Sequence, residues 1–263
     1  MLKGMKIIIC GYCGKMGQAV KKAAKNDPEC EVVAGVDINF FENAEIPVYK
    51  NINEVKETAD VVIDFSNPSA LNGLIDYCKS TKTPAVICTT GLSSEQIEKI
   101  KEASEVLPIF YSRNMSLGVN LLAELSKITA KILGGDFDIE IIEKHHNQKI
   151  DAPSGTALML AEEISSEIPS DVDYVFDRTK TRKPRSKNEI GIHSVRGGSI
   201  VGDHEVIFAG NKEIVSLAHH AESREIFANG AIKAAKFLMS EESGFYTIKD
   251  MIKRTLSFNL SAR

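Results

Sequence analysis

The sequence predicts an α/β protein of two domains, and three observations support this. A short apolar run, Met5 to Cys10, leads through a glycine-rich turn into a helix. Apolar strands then alternate with amphipathic helices as far as Leu133, as in a doubly wound parallel sheet. Beyond Gly134-Gly135, strands follow one another with one clear helix among them. We therefore expect a Rossmann-type dinucleotide-binding domain and a second α+β domain with an open mixed sheet.

Hydrophobic periodicity places the individual elements. In the first domain we expect strands at residues 5–10, 31–36, 61–65, 85–88 and 108–111. Helices are expected at residues 18–25, 52–57, 68–79, 93–104 and 116–133. In the second domain we expect strands at residues 139–143, 174–177, 190–195, 205–209 and 214–219. A helix opens there at Pro153, and a strongly amphipathic helix covers residues 227–238.

The turn after the first strand has the composition of a phosphate-binding loop. Glycines let a backbone approach a pyrophosphate, which the following helix start can hold. The spacing is G-x-x-G-x-x-G, because Cys13 stands where the usual fingerprint has glycine. A plain tight turn is the alternative interpretation. The expected cofactor-binding residues of this turn are Gly11, Tyr12, Cys13, Gly14, Lys15, Met16 and Gly17.

An acidic residue ends the second strand, where ribose recognition is expected. Asp37 stands about 20 residues beyond the last glycine of the turn, the usual distance for a carboxylate that bonds the adenosine ribose. A carboxylate repels a 2′-phosphate, and Ile38 and Asn39 follow it instead of an arginine. We therefore predict that NADH is preferred, although the positive charge of Lys15 partly favours NADPH binding.

Three further strand ends carry small polar groups, and ligands of such sheets lie beyond the carboxyl ends of the strands. Caps and turns are the simpler explanation for any one of them, but together they suggest the nicotinamide edge. The three stretches are 64–66, 89–91 and 112–115.

Composition narrows the class of protein. Hydrophobic residues make up 43% of the 263 residues and charged residues 26%, as in ordinary globular proteins. The net charge of −4 gives no general reason to expect nucleic acid or a membrane surface as partner. There is no long apolar run and no signal-peptide pattern, so we expect a cytoplasmic protein. The 5 cysteines show no framework spacing, and the C-x-x-C of Cys10 and Cys13 overlaps the glycine turn, which argues against a redox or zinc pair.

Residues 143–157 concentrate histidines, lysines and a helix start. Asp151 or Ser154 can cap that helix, and Pro153 suits its first turn. Its free N–H groups can hold a carboxylate or phosphate, close to two groups that exchange protons, His145 and Lys149. A solvated helix face is the alternative, but the proline argues for a connection that leaves a strand. No metal is expected, because adjacent histidines on a strand face opposite sides.

The segment His145-His146-x-x-Lys149-x-Asp151-Ala-Pro-Ser-Gly-Thr-Ala157 resembles the signature of the 4-hydroxy-tetrahydrodipicolinate reductases of the diaminopimelate route to lysine. The resemblance extends from about residue 11 to about residue 245. It implies hydride transfer from NAD(P)H to a cyclic dicarboxylate, with loss of water. By resemblance, His145 is the proton donor or acceptor, and Lys149 is the second catalytic residue, as a proton donor or as a fixed positive charge. Substrate contacts by resemblance are His146, Gly155 and Thr156, with Lys144 and Arg224 as further carboxylate partners.

The resemblance also assigns the strand ends and the assembly. Members of the family are usually homotetramers built through the second sheet, so we expect one here. The implied domains are residues 1–114 with 226–263 for the dinucleotide, and residues 115–225 for substrate and oligomerisation. Many members carry a basic residue after the acidic one, and this sequence departs from them at Ile38. The remaining cofactor-binding residues implied are Phe65, Ser66, Cys88, Thr89, Thr90, Ser112, Arg113, Asn114 and Met115.

Two other functions stay open at this point. One is another two-domain NAD(P) dehydrogenase, of the aspartate or homoserine type, and the His-His-x-x-Lys segment with Ser-Gly-Thr argues against it. The other is a dinucleotide sensor without catalysis, which predicts degraded catalytic positions, although His145, Lys149 and Thr156 match. Residues 178–187 hold six basic side chains and are expected to form a solvated loop rather than a phosphate site.

Overall fold

The computed structural model describes residues 4–39, 45–179 and 182–261, with side chains as far as residue 255. The chain forms two compact units, one of Met1–Ser116 with Arg224–Arg263 and the other of Leu117–Ser223. Among the described residues, no helix is long and apolar enough to cross a membrane. The strands are β1 (Met5–Cys10), β2 (Cys30–Val36), β3 (Val48–Tyr49), β4 (Val61–Asp64), β5 (Ala85–Ile87), β6 (Pro108–Tyr111), β7 (Asp138–His145), β8 (Asp173–Val175), β9 (Glu189–Arg196), β10 (Gly202–Ala209), β11 (Ile214–Ala221) and β12 (Gly244–Tyr246). The helices are α1 (Lys15–Lys25), α2 (Leu71–Thr81), α3 (Ser94–Ser104), α4 (Leu117–Leu133), α5 (Gly155–Ser165), α6 (Glu225–Leu238) and α7 (Ile248–Ser261).

The first unit is built on a parallel sheet with the order β12-β6-β5-β4-β1-β2-β3. From β1 the chain adds β2 and β3 on one side and then β4, β5, β6 and β12 on the other. The strand order therefore reverses between β1 and β4. In open α/β sheets, ligands bind beyond the carboxyl ends of the strands at this switch point. The predicted α/β class and parallel first sheet are therefore confirmed.

Helices cover both faces of this sheet, which is why its strands are apolar throughout. Ile7, Ile8 and Ile9 of β1 are each 0% exposed although they alternate between faces. One face, with Ile8, packs on α2 and α3. On the other, Phe110 of β6 meets Phe237 of α6 edge to face, with ring centroids 6.1 Å apart.

The second unit contains a mixed sheet with the order β11-β10-β7-β9-β8. Strands β7, β8 and β9 run parallel, and β10 is antiparallel to both β7 and β11. Helices α4 and α5 pack on one face, around the buried Ile141, Leu160 and Phe208. The opposite face exposes apolar side chains, such as Ile214 at 68% and Val195 at 44%. The predicted mixed sheet of the second domain is confirmed.

Several boundaries differ from the sequence prediction, and two of the differences change the site. Helix α1 begins at Lys15 and not at residue 18, because Gly14 itself is the N-cap. Lys15 and Gly17 therefore belong to the first helical turn. Strand β7 continues to His145 instead of ending at residue 143, since its backbone pairs with β9 as far as Arg196. The site histidine thus lies on a strand and not on a connection.

Other departures are smaller. Helix α5 begins at Gly155 with Ser154 as its cap, so Pro153 precedes the helix instead of opening it. Of the two candidate caps, Ser154 is correct. The helix expected at residues 52–57 is a 3-10 turn, Ile52–Glu54. Strands β3 and β12, with two and three residues, and helix α7 were not predicted.

Candidate functional site

The three glycines of the first turn serve different purposes. Gly11 has φ +75°, and a Cβ there would lie 2.4 Å from the carbonyl oxygen of Phe65. A Cβ on Gly17 would lie 2.2 Å from the Gly11 oxygen, so this glycine lets α1 approach β1 closely. Gly14 is exposed and sits at the helix start. Gly14 is the most exposed of the three and leaves backbone at the helix start open to a ligand, which is what a pyrophosphate needs.

The residues between the glycines divide between core and surface. The ring of Tyr12 is buried and fills the space where Gly35 of β2 lacks a side chain. Tyr12 can therefore offer only backbone to a ligand. Lys15 is exposed, whereas Cys13 and Met16 are half-buried.

Asp37 lies directly beside this turn. Its Oδ2 accepts the amide of Cys13 at 2.9 Å, and its Oδ1 accepts the amide of Asn39 at 2.9 Å. Both carboxylate oxygens are thereby oriented, and the side chain stays half-exposed at the end of β2. An oriented carboxylate with spare lone pairs can accept two neighbouring hydroxyl groups, as a ribose requires.

A cleft of about 610 Å³ opens at the same edge of the sheet. Gly11, Gly14 and Asp37 line one part of it, and Phe65 and Ser66 line another. The remaining wall of the cleft was not predicted. It is formed by residues that follow the unpredicted β3 and by residues at the start of α2. The additional lining residues include Lys50, Asn51, Ile52, Ser69, Gly73 and Leu74.

The polar strand ends near the cleft are joined through a buried carboxylate, Asp64. Its Oδ1 accepts the Ser66 hydroxyl at 2.5 Å and its Oδ2 accepts the Thr89 hydroxyl at 2.6 Å. Burial raises the pKa of Asp64, and these hydroxyl bonds offset the effect only in part. Thr89 is itself buried beside Cys88, whereas Thr90 is exposed. Asp64 therefore holds the ends of β4 and β5 together.

The stretch after β6 is also fixed by its own bonds. The Ser112 hydroxyl donates to the carbonyl of Asn114 at 2.8 Å, and the Asn114 side chain accepts the amide of Ser116 at 2.9 Å. Met115 is buried, and its carbonyl lies where a Cβ of Gly230 would be, at 1.8 Å. Of the residues assigned here, Arg113 is exposed.

The cysteines near the cleft have raised thiol pKa values. Burial raises the pKa of Cys10 and of Cys88, and Asp64 raises both further. Burial and Asp37 also raise the pKa of Cys13. All 5 cysteines are free. A raised pKa lowers the share of thiolate, which is the form of cysteine that redox and zinc chemistry needs.

In the second unit, a buried carboxylate organises the predicted cluster. Glu143 of β7 is 0% exposed, and its carboxylate accepts two bonds from Arg196 of β9, at 2.6 and 2.8 Å. It also accepts the amide of Ser154 at 3.1 Å and contacts Nδ1 of His145 at 2.5 Å. Burial raises the pKa of Glu143, but the bonds from Arg196, Ser194 and His145 outweigh it and lower that pKa to about 2. Glu143 is therefore an anion at every physiological pH.

His145 is buried on the same strand, and its ring contacts that of a second histidine. Burial lowers the pKa of His145, Glu143 raises it in part, and the charges of Lys149 and Arg196 lower it further, so the pKa lies below its ordinary value. The ring meets that of His204 edge to face, with centroids 5.2 Å apart. An imidazole is the group that most often exchanges a proton in acid–base catalysis.

His204 of β10 connects His145 to the helix start. Its Nε2 lies 3.1 Å from the hydroxyl of Ser154, and that hydroxyl accepts the amide of Ala157 at 3.2 Å. Burial and the neighbouring His145 lower the pKa of His204 to about 4. The residue is therefore neutral near pH 7 and acts as a fixed hydrogen-bonding group.

The turn after β7 holds Lys149 close to its own backbone. Lys149 Nζ lies 2.7 Å from the carboxylate of Asp151, and its amide donates to the carbonyl of His146 at 3.1 Å. The amide of Asn147 donates to Gly198, which has φ +49°. Arg196-Gly197-Gly198, for which the sequence offered no chemistry, therefore supports this turn.

The start of α5 completes the cluster. Gly155 is exposed and Thr156 is half-buried in the first turn, and no atom lies within 4 Å of a Cβ built on Gly155. The N-terminal end of a helix carries positive partial charge and suits a carboxylate. Since Glu143 binds the amide of Ser154, the proton-exchanging histidine and this turn share one buried anchor.

One predicted carboxylate partner, Lys144, is not brought to this cluster. Lys144 follows Glu143 on β7, so its side chain leaves on the opposite face of the sheet, beside Asp203 of β10. Arg224 is the N-cap of α6 in the first unit, and its role as a carboxylate partner stays a prediction. Within the described ranges, no group of three or more His, Cys, Asp or Glu is arranged to hold a metal ion.

The basic segment 178–187, of which residues 180 and 181 lie outside the described part, is less solvated than expected. Arg178 lies 2.5 Å from Glu189, and Arg185 lies 2.5 Å from Asp138 and 3.3 Å from Glu140. These two arginines therefore pack against acidic residues of β7 and β9, and the prediction of a wholly solvated loop was wrong for them.

Sequence reasoning missed three members of the cluster as functional residues, namely Glu143, Arg196 and His204. A carboxylate two residues before a histidine on a strand was an available signal, because both side chains then share one face. Arg196 and His204 come from other strands, and no local spacing points to them.

Two family models match the chain. The model described as "Dihydrodipicolinate reductase, N-terminus" matches residues 5–115, and "Dihydrodipicolinate reductase, C-terminus" matches residues 118–252. Together they cover both units of the structure.

Relatives and a solved structure agree with these models. A protein of Caldanaerobacter subterraneus subsp. tengcongensis named 4-hydroxy-tetrahydrodipicolinate reductase is 54% identical over 250 residues, covering 95% of this chain and 99% of its own. One of the same name from Clostridium tetani is 50% identical over 248 residues, covering 94% and 97%. The dipicolinate-bound dihydrodipicolinate reductase of a Paenisporosarcina species superimposes with TM-score 0.79 at 28% identity, covering 93% of this chain and 97% of that one.

Proposed function

The chain belongs to the dihydrodipicolinate reductase family, and from that premise we propose that it reduces 4-hydroxy-tetrahydrodipicolinate to tetrahydrodipicolinate in diaminopimelate and lysine biosynthesis. The observation that carries the proposal is the cluster of the second unit. It combines a buried histidine of lowered pKa, a lysine on the turn just beyond the strand end and an exposed helix start. In this scheme the first unit binds the cofactor and the second unit binds the substrate.

His145 and Lys149 supply the proton and the stabilising positive charge. The hydroxyl group first leaves as water with a proton from the adjacent ring carbon, which gives a conjugated imine, and the reduced nicotinamide, when bound, would supply a hydride to the carbon that lost the hydroxyl group. Negative charge develops on the conjugated imine, and protonated His145 quenches it. Lys149 sits on the turn beside it, where a fixed positive charge stabilises the developing negative one.

The substrate carboxylates bind at the start of α5 and at His146. Gly155 and Thr156 present the first turn of α5, whose dipole favours an anion. His146 follows His145 at the end of β7 and is half-buried. A dicarboxylate ring held by one carboxylate at the helix start is thus placed near the histidine that shares the Glu143 anchor. The dipicolinate bound to the Paenisporosarcina reductase is an acid of this type.

The first unit suits a dinucleotide. The exposed Gly14 at the start of α1 fits a pyrophosphate, and the oriented carboxylate of Asp37 fits a ribose. The cleft of about 610 Å³ between them has room for the nucleotide. The polar strand ends at residues 65–66, 88–90 and 112–115 are proposed for the remainder of the cofactor.

NADH is the proposed preference. The carboxylate of Asp37 would repel a 2′-phosphate, and the next side chain, Ile38, is apolar and 79% exposed. Two lysines nevertheless oppose this preference, because Lys15 opens α1 and Lys50 lines the cleft with Asp37. Higher kcat/KM with NADPH would contradict the proposal, and Lys15→Ala and Lys50→Ala would then identify the cation that binds the 2′-phosphate.

A coupled assay tests the reaction itself. The synthase that condenses pyruvate with aspartate semialdehyde would generate the unstable substrate, and oxidation of the reduced nicotinamide would be followed by its absorbance. Oxidation that requires the synthase supports the proposal. A protein that binds NADH but oxidises none of it would instead be a dinucleotide sensor or another dehydrogenase.

A cytoplasmic homotetramer is proposed as the working form. The sheet face of the second unit opposite α4 and α5 carries Ile214 and Val195, which are 68% and 44% exposed. Such a face suits association with copies of itself. Free cysteines suit a reducing compartment. Sedimentation equilibrium would test the assembly, and a monomer at assay concentration would refute it.

A further inference from the structure

A fully buried carboxylate is unusual enough to require an explanation. Removing an ion pair from water is costly, and apolar residues of similar volume often stabilise a protein as well or better. Glu143 is 0% exposed and is nonetheless retained with four hydrogen-bonding contacts. Those contacts reach β7, β9 and the start of α5, which are three separate parts of the candidate site.

Resting on the reductase function proposed above, we infer that Glu143 and Arg196 are a pair of positioning residues. Together they hold the ring of His145 with Nε2 presented for proton transfer, and they fix the carboxylate-binding start of α5 relative to that ring. Neither residue touches the substrate in this scheme. Both act through His145 and through the backbone.

The orientation of the imidazole follows from the chemistry of Glu143. An ionised carboxylate only accepts hydrogen bonds, so Nδ1 of His145, at 2.5 Å, carries the proton of that contact. The proton that the ring gains and loses is then the one on Nε2. Gly202 of β10 leaves space on that side, since a Cβ there would lie 3.1 Å from Nε2.

Arg196 balances the effect of Glu143 on His145. A carboxylate alone beside a histidine favours the imidazolium, whereas the guanidinium opposes it. The other groups facing the ring are His204 from β10 and Lys149 from the turn after β7.

Arg196 also fixes the turn that carries Lys149. It donates to the carbonyl oxygen of Asp151 at 2.6 Å, and Asp151 pairs with Lys149. The same guanidinium therefore positions the second proposed catalytic residue.

The roles of Glu143 and Arg196 can be distinguished by the direction in which each variant moves the pH profile of kcat. Because protonated His145 is the proton donor, kcat falls as pH rises through its pKa. Glu143→Gln should move that limb to lower pH by about one unit, and Arg196→Gln should move it to higher pH by about one unit. Arg196→Lys keeps the charge and should leave the limb in place. Glu162→Gln, the same change at an exposed residue of α5, is the matched control and should leave kcat and the limb unchanged.

The ring itself gives a second readout that does not depend on turnover. In protein labelled with 15N-histidine, the neutral ring of His145 should show the proton on Nδ1, and the signal would be assigned with His145→Gln. Finding the proton on Nε2 would overturn the inference whatever the activity. The same result would decide the matter if Glu143→Gln does not fold.

Two outcomes of the assay have different meanings. If the wild-type protein shows no synthase-dependent oxidation, the proposed function fails, while the tautomer of His145 still tests the pair. If the wild-type protein is active but both variants lose kcat with limbs that do not move, or that move the same way, the pair is merely structural and the inference is wrong.

Discussion

Each unit buries one carboxylate in its candidate site, and the two carboxylates behave in opposite ways. Asp64 in the first unit meets only hydroxyl and amide groups, and burial raises its pKa. Glu143 in the second unit meets a guanidinium, and its pKa falls to about 2. The difference shows that burial alone does not set the charge state, because the partner decides it.

The contrast extends to how each site is built. The first unit offers backbone and a half-exposed aspartate beside a glycine turn, so its ligand chemistry uses amides and small polar groups. The second unit contains all 6 histidines of the chain, between residues 145 and 220. Proton chemistry and sensitivity to acid should therefore reside in the second unit, and dinucleotide affinity in the first.

The largest effect is expected from removing the proton-transferring groups. His145→Ala and Lys149→Ala should each lower kcat by about 10²-fold or more, since each removes general-acid or electrostatic assistance. Dinucleotide affinity, measured by fluorescence titration, should stay within about twofold, because the first unit is intact. Near-normal turnover in either variant would remove that residue from the mechanism.

Acid should loosen the second unit before the first. The pKa of His204 is about 4 in the folded protein and 6.5 ordinarily, so its contribution is complete above pH 6.5 and is lost as pH falls toward about 4. This loss is worth about 3 kcal/mol. Hydrogen exchange, corrected for intrinsic rates, should show the opening in residues 117–223.

His204→Gln supplies the variant for this experiment. It should weaken the acid dependence in the second unit, whereas His220→Gln, at an exposed residue of β11, should leave it unchanged. Equal opening of both units on acidification would contradict the comparison.

Dinucleotide affinity should depend on close backbone packing. Gly17→Ala places a Cβ 2.2 Å from the Gly11 oxygen, so the turn must move, and we expect the Kd for NADH to rise by about 10²-fold. Gly14→Ala meets the same oxygen at 3.2 Å and should raise the Kd less. Titration calorimetry would rank the two variants, and the reverse ranking would show that exposure of Gly14 dominates.

The smallest effect is expected at the helix start. Thr156→Val removes a hydroxyl group from the first turn of α5 but leaves its backbone amides, so KM for the dicarboxylate should rise by about 10-fold or less. Affinity for the dinucleotide should not change. An unchanged KM would refute the placement of a carboxylate at this turn.

Local pattern predicted most of the fold. Apolar runs with helical or alternating periodicity located most of the longer elements, because a strand or helix buries its own face whatever its neighbours are. Periodicity failed at β3, with two residues, and at the end of β7, where pairing with β9 extends the strand through His145. Strand ends depend on the partner strand, which a local window does not contain.

The sequence by itself determined the family, the glycine turn and the positions of His145 and Lys149, since each is encoded in consecutive or closely spaced residues. Only the tertiary structure decided that Glu143, Arg196 and His204 surround that histidine, because β7, β9 and β10 bring them together across many residues of chain. Charge state followed from the same assembly. The protonation states of a carboxylate, an imidazole and a guanidinium depend on the neighbouring groups, and the fold determines which groups are neighbours.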